Sequence, residues 1–415
     1  MTNHRFSRRH TLAMLGSGAT LAGAGTLAAP SILRAQDGPV KLGFLSALTG
    51  LETILGETQL NCFNLAVDQI NAGGGLNGQQ VEIVSYDTQS DMALYTQYAQ
   101  KLVRQDKVDV VHGGILSASR EAIRQTLHKA NILYFYNVLY EGGVCDRNIC
   151  IDGVTPAQQV EVLMPAAVKK WGKKIYILAA DYNYGQITAR WMKKYGEDAG
   201  GEVIQTDFFP LDVSDFGATI AKIQTAAPDI VVCALVGGPH MSFFRQWAAA
   251  GMKSKIPMAS TTLGVGNEHK VLTAEEGNGI LVAYNYSPEL DSPVNAAFLK
   301  AWGDKFGDTS LIHEIAVSHY QGLLLWAQAV KNAGSAERMK VIEAIEGGLS
   351  IDGPAGKVSV DPKTHHAILD VHLMEFENQT MKVLESFSQR QPVDTQAVCD
   401  LVANPDDNQQ YEIKI

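Results

Sequence analysis

Residues Val108–Arg120 read V-D-V-V-H-G-G-I-L-S-A-S-R. An apolar, β-branched run ends in two glycines, and small hydroxylated residues then open a segment with helical periodicity through Lys129. A continuous apolar run bounded by glycines is the mark of a strand buried on both faces. A strand that turns directly into a helix is one half of a βαβ unit.

The same alternation extends both ways along the chain. Apolar periodicity predicts strands at 40–46, 81–86, 108–113, 132–136, 174–180, 202–209, 229–236, 256–260 and 279–286. Between them it predicts helices at 57–72, 92–105, 117–130, 158–170, 184–199, 216–226 and 240–250. Two such runs, separated by an irregular patch before residue 155, predict two doubly wound, Rossmann-like α/β lobes. Three further helices (294–306, 314–333, 336–347) and three short strands (356–360, 368–377, 381–386) are too few for a third domain. They are expected to complete both lobes, with the chain crossing between them more than once. The expected division is 38–154 plus 284–346 for the N-terminal lobe and 155–283 plus 347–388 for the C-terminal lobe. The polar residues 389–415 are read as an extended tail.

The first 35 residues differ from the rest. They hold Arg5, Arg8, Arg9 and Arg34, no acid, and an apolar Gly/Ala-rich stretch from Leu12 to Ala29. Arg8-Arg9 in S-R-R-H-T-L is close to the twin-arginine export pattern, and cleavage is expected after Ala35. Such cleavage removes four of the 34 basic residues and none of the 44 acidic ones, taking the net charge from −10 to −14. That charge disfavours DNA, other nucleic acid and anionic membranes as partners. No later run of 18 apolar residues suggests a membrane span. The expectation is a periplasmic protein.

Export permits disulfides. Of five cysteines, Cys62 and Cys233 sit in apolar helix and strand patterns and read as buried thiols, whereas Cys145 and Cys150 could close a tight loop.

Enzymatic motifs are weak. Gly73–Gly78 spells G-x-G-x-x-G, but it follows a helix and precedes a strand, the reverse of a dinucleotide site. It reads as a helix stop and turn. The mature chain has no G-x-S-x-G, Walker loop or H-E-x-x-H. His365-His366 lies in a polar turn without convergent ligands, and Asp181 lacks an evident partner. No cofactor, metal or catalytic residue is expected, and the chain is read as a non-enzyme.

Ligands of open parallel sheets sit beyond the carboxyl ends of the strands. That rule gathers the loops at Ser117–Arg120, Tyr136–Glu141, Asp181–Tyr184 and Thr261-Thr262 around one cleft. Ser117, Ala118 and Ser119 open a helix whose free N–H groups suit an oxygen acceptor, though the serines could equally serve only as caps. Tyr136, Tyr140, Tyr182 and Tyr184 can stack on and hydrogen-bond to a small ligand. Gly237 and Thr261 complete the expected contacts.

Two stretches, G-F-L-S-A-L-T-G (43–50) and I-N-A-G-G-G-L-N-G-Q-Q-V-E-I-V-S-Y-D (70–87), resemble the type I periplasmic binding proteins that serve ABC importers. G-G-I-L-S-A-S-R (113–120), Y-F-Y-N-V-L-Y-E-G-G-V-C (134–145) and D-Y-N-Y (181–184) resemble the urea and short-amide branch. The resemblance implies amide contacts from Ser117, Tyr136, Tyr182 and Thr261, and an inner-membrane ABC permease as partner. Two positions depart from the branch pattern: Ile115-Leu116 stand where an aromatic is common, and Asn137 where proline is. The expected function is therefore an exported receptor for urea or a short amide. Branched-chain or polar amino acids are the alternative ligands, and a periplasmic amide sensor or a hydrolase are rivals of another class.

Overall fold

The computed structural model describes residues 38–50, 53–266, 268–309 and 312–415. The twin-arginine pattern and the expected cleavage site lie outside the described residues.

The chain builds two main sheets. The first holds five parallel strands in the order β2-β1-β3-β4-β6. These are β1 (Val40–Ser46), β2 (Val81–Asp87), β3 (Val110–Gly113), β4 (Leu133–Tyr136) and β6 (Ile149–Ile151), with β5 (Val144–Asp146) just before the last. Strand β1 is buried almost throughout, as a central parallel strand must be when helices cover both faces.

The second sheet carries nine strands. Five are parallel, in the order β8-β7-β9-β10-β11: β7 (Lys174–Ala180), β8 (Glu202–Phe209), β9 (Ile230–Ala234), β10 (Met258–Ser260) and β11 (Leu281–Tyr284). Antiparallel strands extend it: β12 (Ser350–Gly353), β13 (Gly356–Val360), β14 (Ala367–Glu377) and β15 (Thr380–Arg390). In both sheets the first strand is flanked by the second on one side and the third on the other. The order therefore reverses between β1 and β3 and between β7 and β9, which opens a crevice at the carboxyl end of each pair.

Helix Glu314–Ala333 comes late in sequence but packs on helix Thr53–Ala72 beside the first sheet. The chain thus leaves the second sheet after β11 and returns to it at β12. Among the described residues no helix is long and apolar enough to cross a membrane.

The stretch that opens this account takes its form from close packing. Gly113 has φ +123°, and a Cβ there would stand 2.0 Å from the Leu45 carbonyl oxygen. Only glycine lets β3 leave the sheet beside β1 at that point.

Three expectations need correction. The patch before residue 155 is not irregular: it holds β5 and β6. Residues 389–415, read as an extended tail, pack back on the body of the protein. β16 (Asn408–Gln410) pairs antiparallel with β5, and Asp394 accepts hydrogen bonds from the Thr155 hydroxyl and the Ala157 N–H at 2.9 and 3.1 Å. Finally, Cys145 is joined to Cys399, 254 residues away, and not to Cys150. The two candidates sit in different sheets: Cys145 on β5 faces the returning tail, and Cys150 on β6 stays in the core beside Phe135 of β4. Cys62, Cys150 and Cys233 are buried free thiols.

Candidate functional site

The loops beyond the strand ends enclose a cavity of about 530 Å³. From the first sheet, Ile115 and Leu116 reach it after β3, and Val138 and Leu139 after β4. From the second come Tyr182 and Tyr184 after β7, Leu211–Ser214 after β8, Val236–His240 after β9 and Thr262 after β10. Each sheet contributes at its switch point, as the topology requires. The wall is predominantly aliphatic, a surface that water leaves readily for an apolar ligand.

Of the residues expected from sequence, Tyr182, Tyr184 and Gly237 line the cavity. The two tyrosine rings lie 6.1 Å apart, tilted by 35°. Gly237 opens helix Gly237–Ala249 at φ +63°. Ser117, Ala118, Ser119, Tyr136, Tyr140 and Thr261 do not line it, and for five of them hydrogen bonds give the reason. The buried Ser117 hydroxyl donates to Glu141 Oε2 at 2.8 Å. Ser119 donates to the Leu116 carbonyl and accepts from the Ile115 N–H, which ties the first turn of the helix back to the loop before it, and Leu116 stands at the N-cap. Tyr136 donates to the Ile115 carbonyl at 2.7 Å, and Tyr134 to that of Gly113 at 2.8 Å. Tyr140 is bonded to His366. Thr261 accepts from the Tyr184 hydroxyl at 3.1 Å, while its carbonyl accepts from Gln159. Ala118 is exposed in the first helical turn.

These residues form a scaffold directly behind the wall. Its centre is an ion pair of Arg120 with Glu141 at 2.9 Å, in which neither side chain has any exposure. Arg120 also donates to Gln410 of the tail at 2.8 Å and lies over the rings of Tyr136 and Tyr140. The tail therefore helps hold the loop that carries Val138 and Leu139.

Sequence reasoning missed several wall segments. Leu211–Ser214 carries no periodic signal. Ile315 lies in the first turn of helix Glu314–Ala333, read from sequence only as completing the N-terminal lobe. Glu268, 4% exposed, reaches the wall from a short turn after β10 and accepts the Gly266 N–H at 2.9 Å. Burial pushes its carboxyl up to about 7. The lining His240 is held down to about 3 by burial and is neutral. The Thr262 hydroxyl donates a hydrogen bond to the Leu235 carbonyl at 2.7 Å. Among the described residues no lysine or arginine lines the cavity, and no group of three or more His, Cys, Asp or Glu side chains could hold a metal. His365 and His366, expected in an open polar turn, are both buried.

Known proteins share this arrangement. A family model described as periplasmic binding protein matches residues 39–380. The leucine-, isoleucine-, valine-, threonine- and alanine-binding protein of Pseudomonas aeruginosa is 27% identical over 341 residues, covering 78% of this chain and 86% of its own length. Leu/Ile/Val-binding protein homolog 6 of Brucella melitensis is 24% identical over 344 residues, 81% and 87% of the two chains. Among solved structures, an ABC-transporter solute-binding protein of Rhodopseudomonas palustris with 3,4-dihydroxybenzoic acid superposes with a TM-score of 0.78 at 23% identity, covering 85% and 98%. The branched-chain amino acid transporter substrate-binding protein of Streptococcus pneumoniae with isoleucine gives 0.73 at 23%, covering 83% and 99%. With the match spanning both sheets, the chain belongs to the periplasmic binding protein family.

Proposed function

We propose that this chain is a periplasmic receptor that delivers an amino acid with an apolar side chain to an inner-membrane ABC permease. The solute is clamped non-covalently between two lobes, 38–154 plus 284–346 and 155–283 plus 347–388, that hinge where the chain crosses between sheets. The single observation that carries the reading is the roughly 530 Å³ cavity with its predominantly aliphatic wall at the two switch points.

Urea or acetamide fits that cavity poorly. Four heavy atoms occupy on the order of 120 Å³ even if each takes a water's share of about 30 Å³. Their binding is limited to about −6 kcal/mol, a Kd of tens of micromolar. The aliphatic wall would add nothing, whereas burying a Val, Leu or Ile side chain contributes about 1.5–3 kcal/mol. The names of the amino-acid-binding relatives point the same way.

A thermal-shift panel of leucine, isoleucine, valine, benzoate, 4-hydroxybenzoate, urea and acetamide tests this, because a ligand that binds the native state raises its melting temperature. Leucine, isoleucine or valine should give the largest shift. A shift from benzoates alone, or from urea and acetamide alone, overturns the reading.

A further inference from the structure

We propose that residues 408–415 form a latch between the two walls of the cavity. Gln410 holds the scaffold behind one wall, and Glu412, two residues on, holds the helix that carries part of the other. The docked latch favours the arrangement in which both walls face the solute. The inference rests on the reading of the cavity as the solute site and adds a device that sets how readily the two halves part.

On the first-sheet side the dock is helix Ser117–Ala130. Its Arg120 donates to the Gln410 side-chain carbonyl at 2.8 Å, and its Arg124 to the Asn408 backbone carbonyl at 2.8 Å. Its His128 ring lies 3.0 Å from the Asn408 amide. Both arginines are buried and paired with acids of the first half, Glu141 and Asp146. The Gln410 amide donates to the Gly142 carbonyl at 2.7 Å, and the Tyr411 N–H to that of Gly143 at 2.8 Å. The loop is fitted to this segment. Gly143 has φ +91°, and a Cβ there would stand 2.2 Å from the Tyr411 carbonyl oxygen, so no side chain is tolerated where the two backbones meet. Ile413 is buried in the core that both sheets share.

On the second-sheet side Glu412 pairs with Arg190 at 2.5 Å. Arg190 lies on helix Asn183–Asp198, which packs on β7 and β8 and brings Tyr182 and Tyr184 to the cavity wall at its start. The pair is 47% and 71% exposed. An exposed pair is weak and readily broken, which suits a contact that must open each time solute passes. The first-side dock is buried and stays put. The root of the tail is fixed as well, by the Cys145–Cys399 bridge and by Asp394 on Thr155 and Ala157. An undocked end therefore remains within about 30 Å of its dock, the reach of some nine extended residues, and redocks as an intramolecular event.

The test needs one measurement without solute and one with it. Spin labels at Ala93→Cys and Ala218→Cys report the separation of the halves. Both positions are exposed, in the first turns of helices Met92–Lys101 and Gly217–Ala226 at the cleft rim, and the native free thiols are buried. Calorimetric titration with leucine reports affinity. Glu412→Lys puts like charges together and should lower the ratio of short to long label distances roughly two- to fivefold. Only the enclosed population binds, so leucine affinity should fall by up to the same factor. The double variant Arg190→Glu/Glu412→Lys should restore both readings. A chain ending at Gln410 keeps β16 on β5 and the Arg120 contact, loses the span to Arg190, and should show a larger loss than Glu412→Lys. Wild-type distances in both Glu412→Lys and the shortened chain overturn the latch. So do losses that the double variant leaves unrestored, and distances that shift while leucine affinity holds. Distances that respond as expected in a protein that binds no leucine, isoleucine or valine leave the latch standing and defeat the solute reading instead.

Discussion

The Cys145–Cys399 bridge offers a sharp quantitative check on the fold. It spans 254 residues. Loop-closure entropy for a loop of that length is about 5 kcal/mol at 25 °C, against about 2 kcal/mol for the short loop that Cys145 and Cys150 would close. Replacing Cys399 by serine leaves the other ties of the tail in place: Asp394 on Thr155 and Ala157, and β16 on β5. The variant should therefore fold with its tail docked and lose about 5 kcal/mol. For a chain of this size the unfolding entropy is about 0.8 kcal/mol per degree, so the melting temperature should fall by roughly 6 °C. Scanning calorimetry measures the shift, and thiol titration in denaturant identifies the pair. The oxidised wild type should show three free thiols, Cys62, Cys150 and Cys233, and Cys399→Ser should show a fourth. Cys150→Ser should keep the bridge and melt close to wild type. A Cys150→Ser protein that loses the disulfide, or a Cys399→Ser protein that melts unchanged, would refute the reasoning.

Other consequences are open to measurement. Glu141→Gln leaves Arg120 buried beside a neutral group with only Glu121 still paired, and should cost about 3 kcal/mol in urea denaturation; a loss below about 1 kcal/mol would show the pair to be idle. Tyr182→Ala, at a half-buried wall position, should weaken solute binding in calorimetry with little change in melting. Tyr136→Phe should do the reverse, costing about 1 kcal/mol for the bond to Ile115 while sparing affinity. Stability should also depend on pH through the buried acids. Burial holds Glu268 up to about 7 and Glu314 up to about 8, and each is felt by Tyr284. The folded state keeps protons that the unfolded chain gives up from about 4.5. These two acids therefore contribute stability that is lost as pH rises from about 4.5 to about 8. Neutral buried His240, His269, His313 and His319 oppose this on the acid side, where the unfolded chain takes up protons below about 6.5. Glu268→Gln should match the wild type near pH 4.5 and exceed it by about 3 kcal/mol at pH 8; a difference that stays flat across that range contradicts the assignment.

What the sequence revealed and what it withheld follow from the range of the interactions involved. Strands such as 40–46 and 174–180 and helices such as 117–130 and 314–333 were legible to the residue, because burial writes itself as a local apolar run or a helical period. β5 and β6, three residues each, have no room for a period. β5 becomes a strand because residues 408–410 pair with it, and the disulfide partner of Cys145 arrives with the same distant segment. At the site, strand-end logic found the right loops but not which side chain in each faces the solute. A loop has no periodicity to fix direction, so hydrogen bonds decide. Ser117 turns to Glu141 and Tyr136 to a backbone carbonyl, and the aliphatic neighbours Leu116 and Val138 are left at the wall. Glu268 was least legible of all. A glutamate in a polar stretch reads as solvated surface, and its burial comes only from a wall assembled by loops of both sheets. The apolar wall is therefore a property of the assembled cleft, written in no single segment: Leu116, Val138, Leu211 and Val236 come from four loops of two sheets and meet only when both sheets are in place.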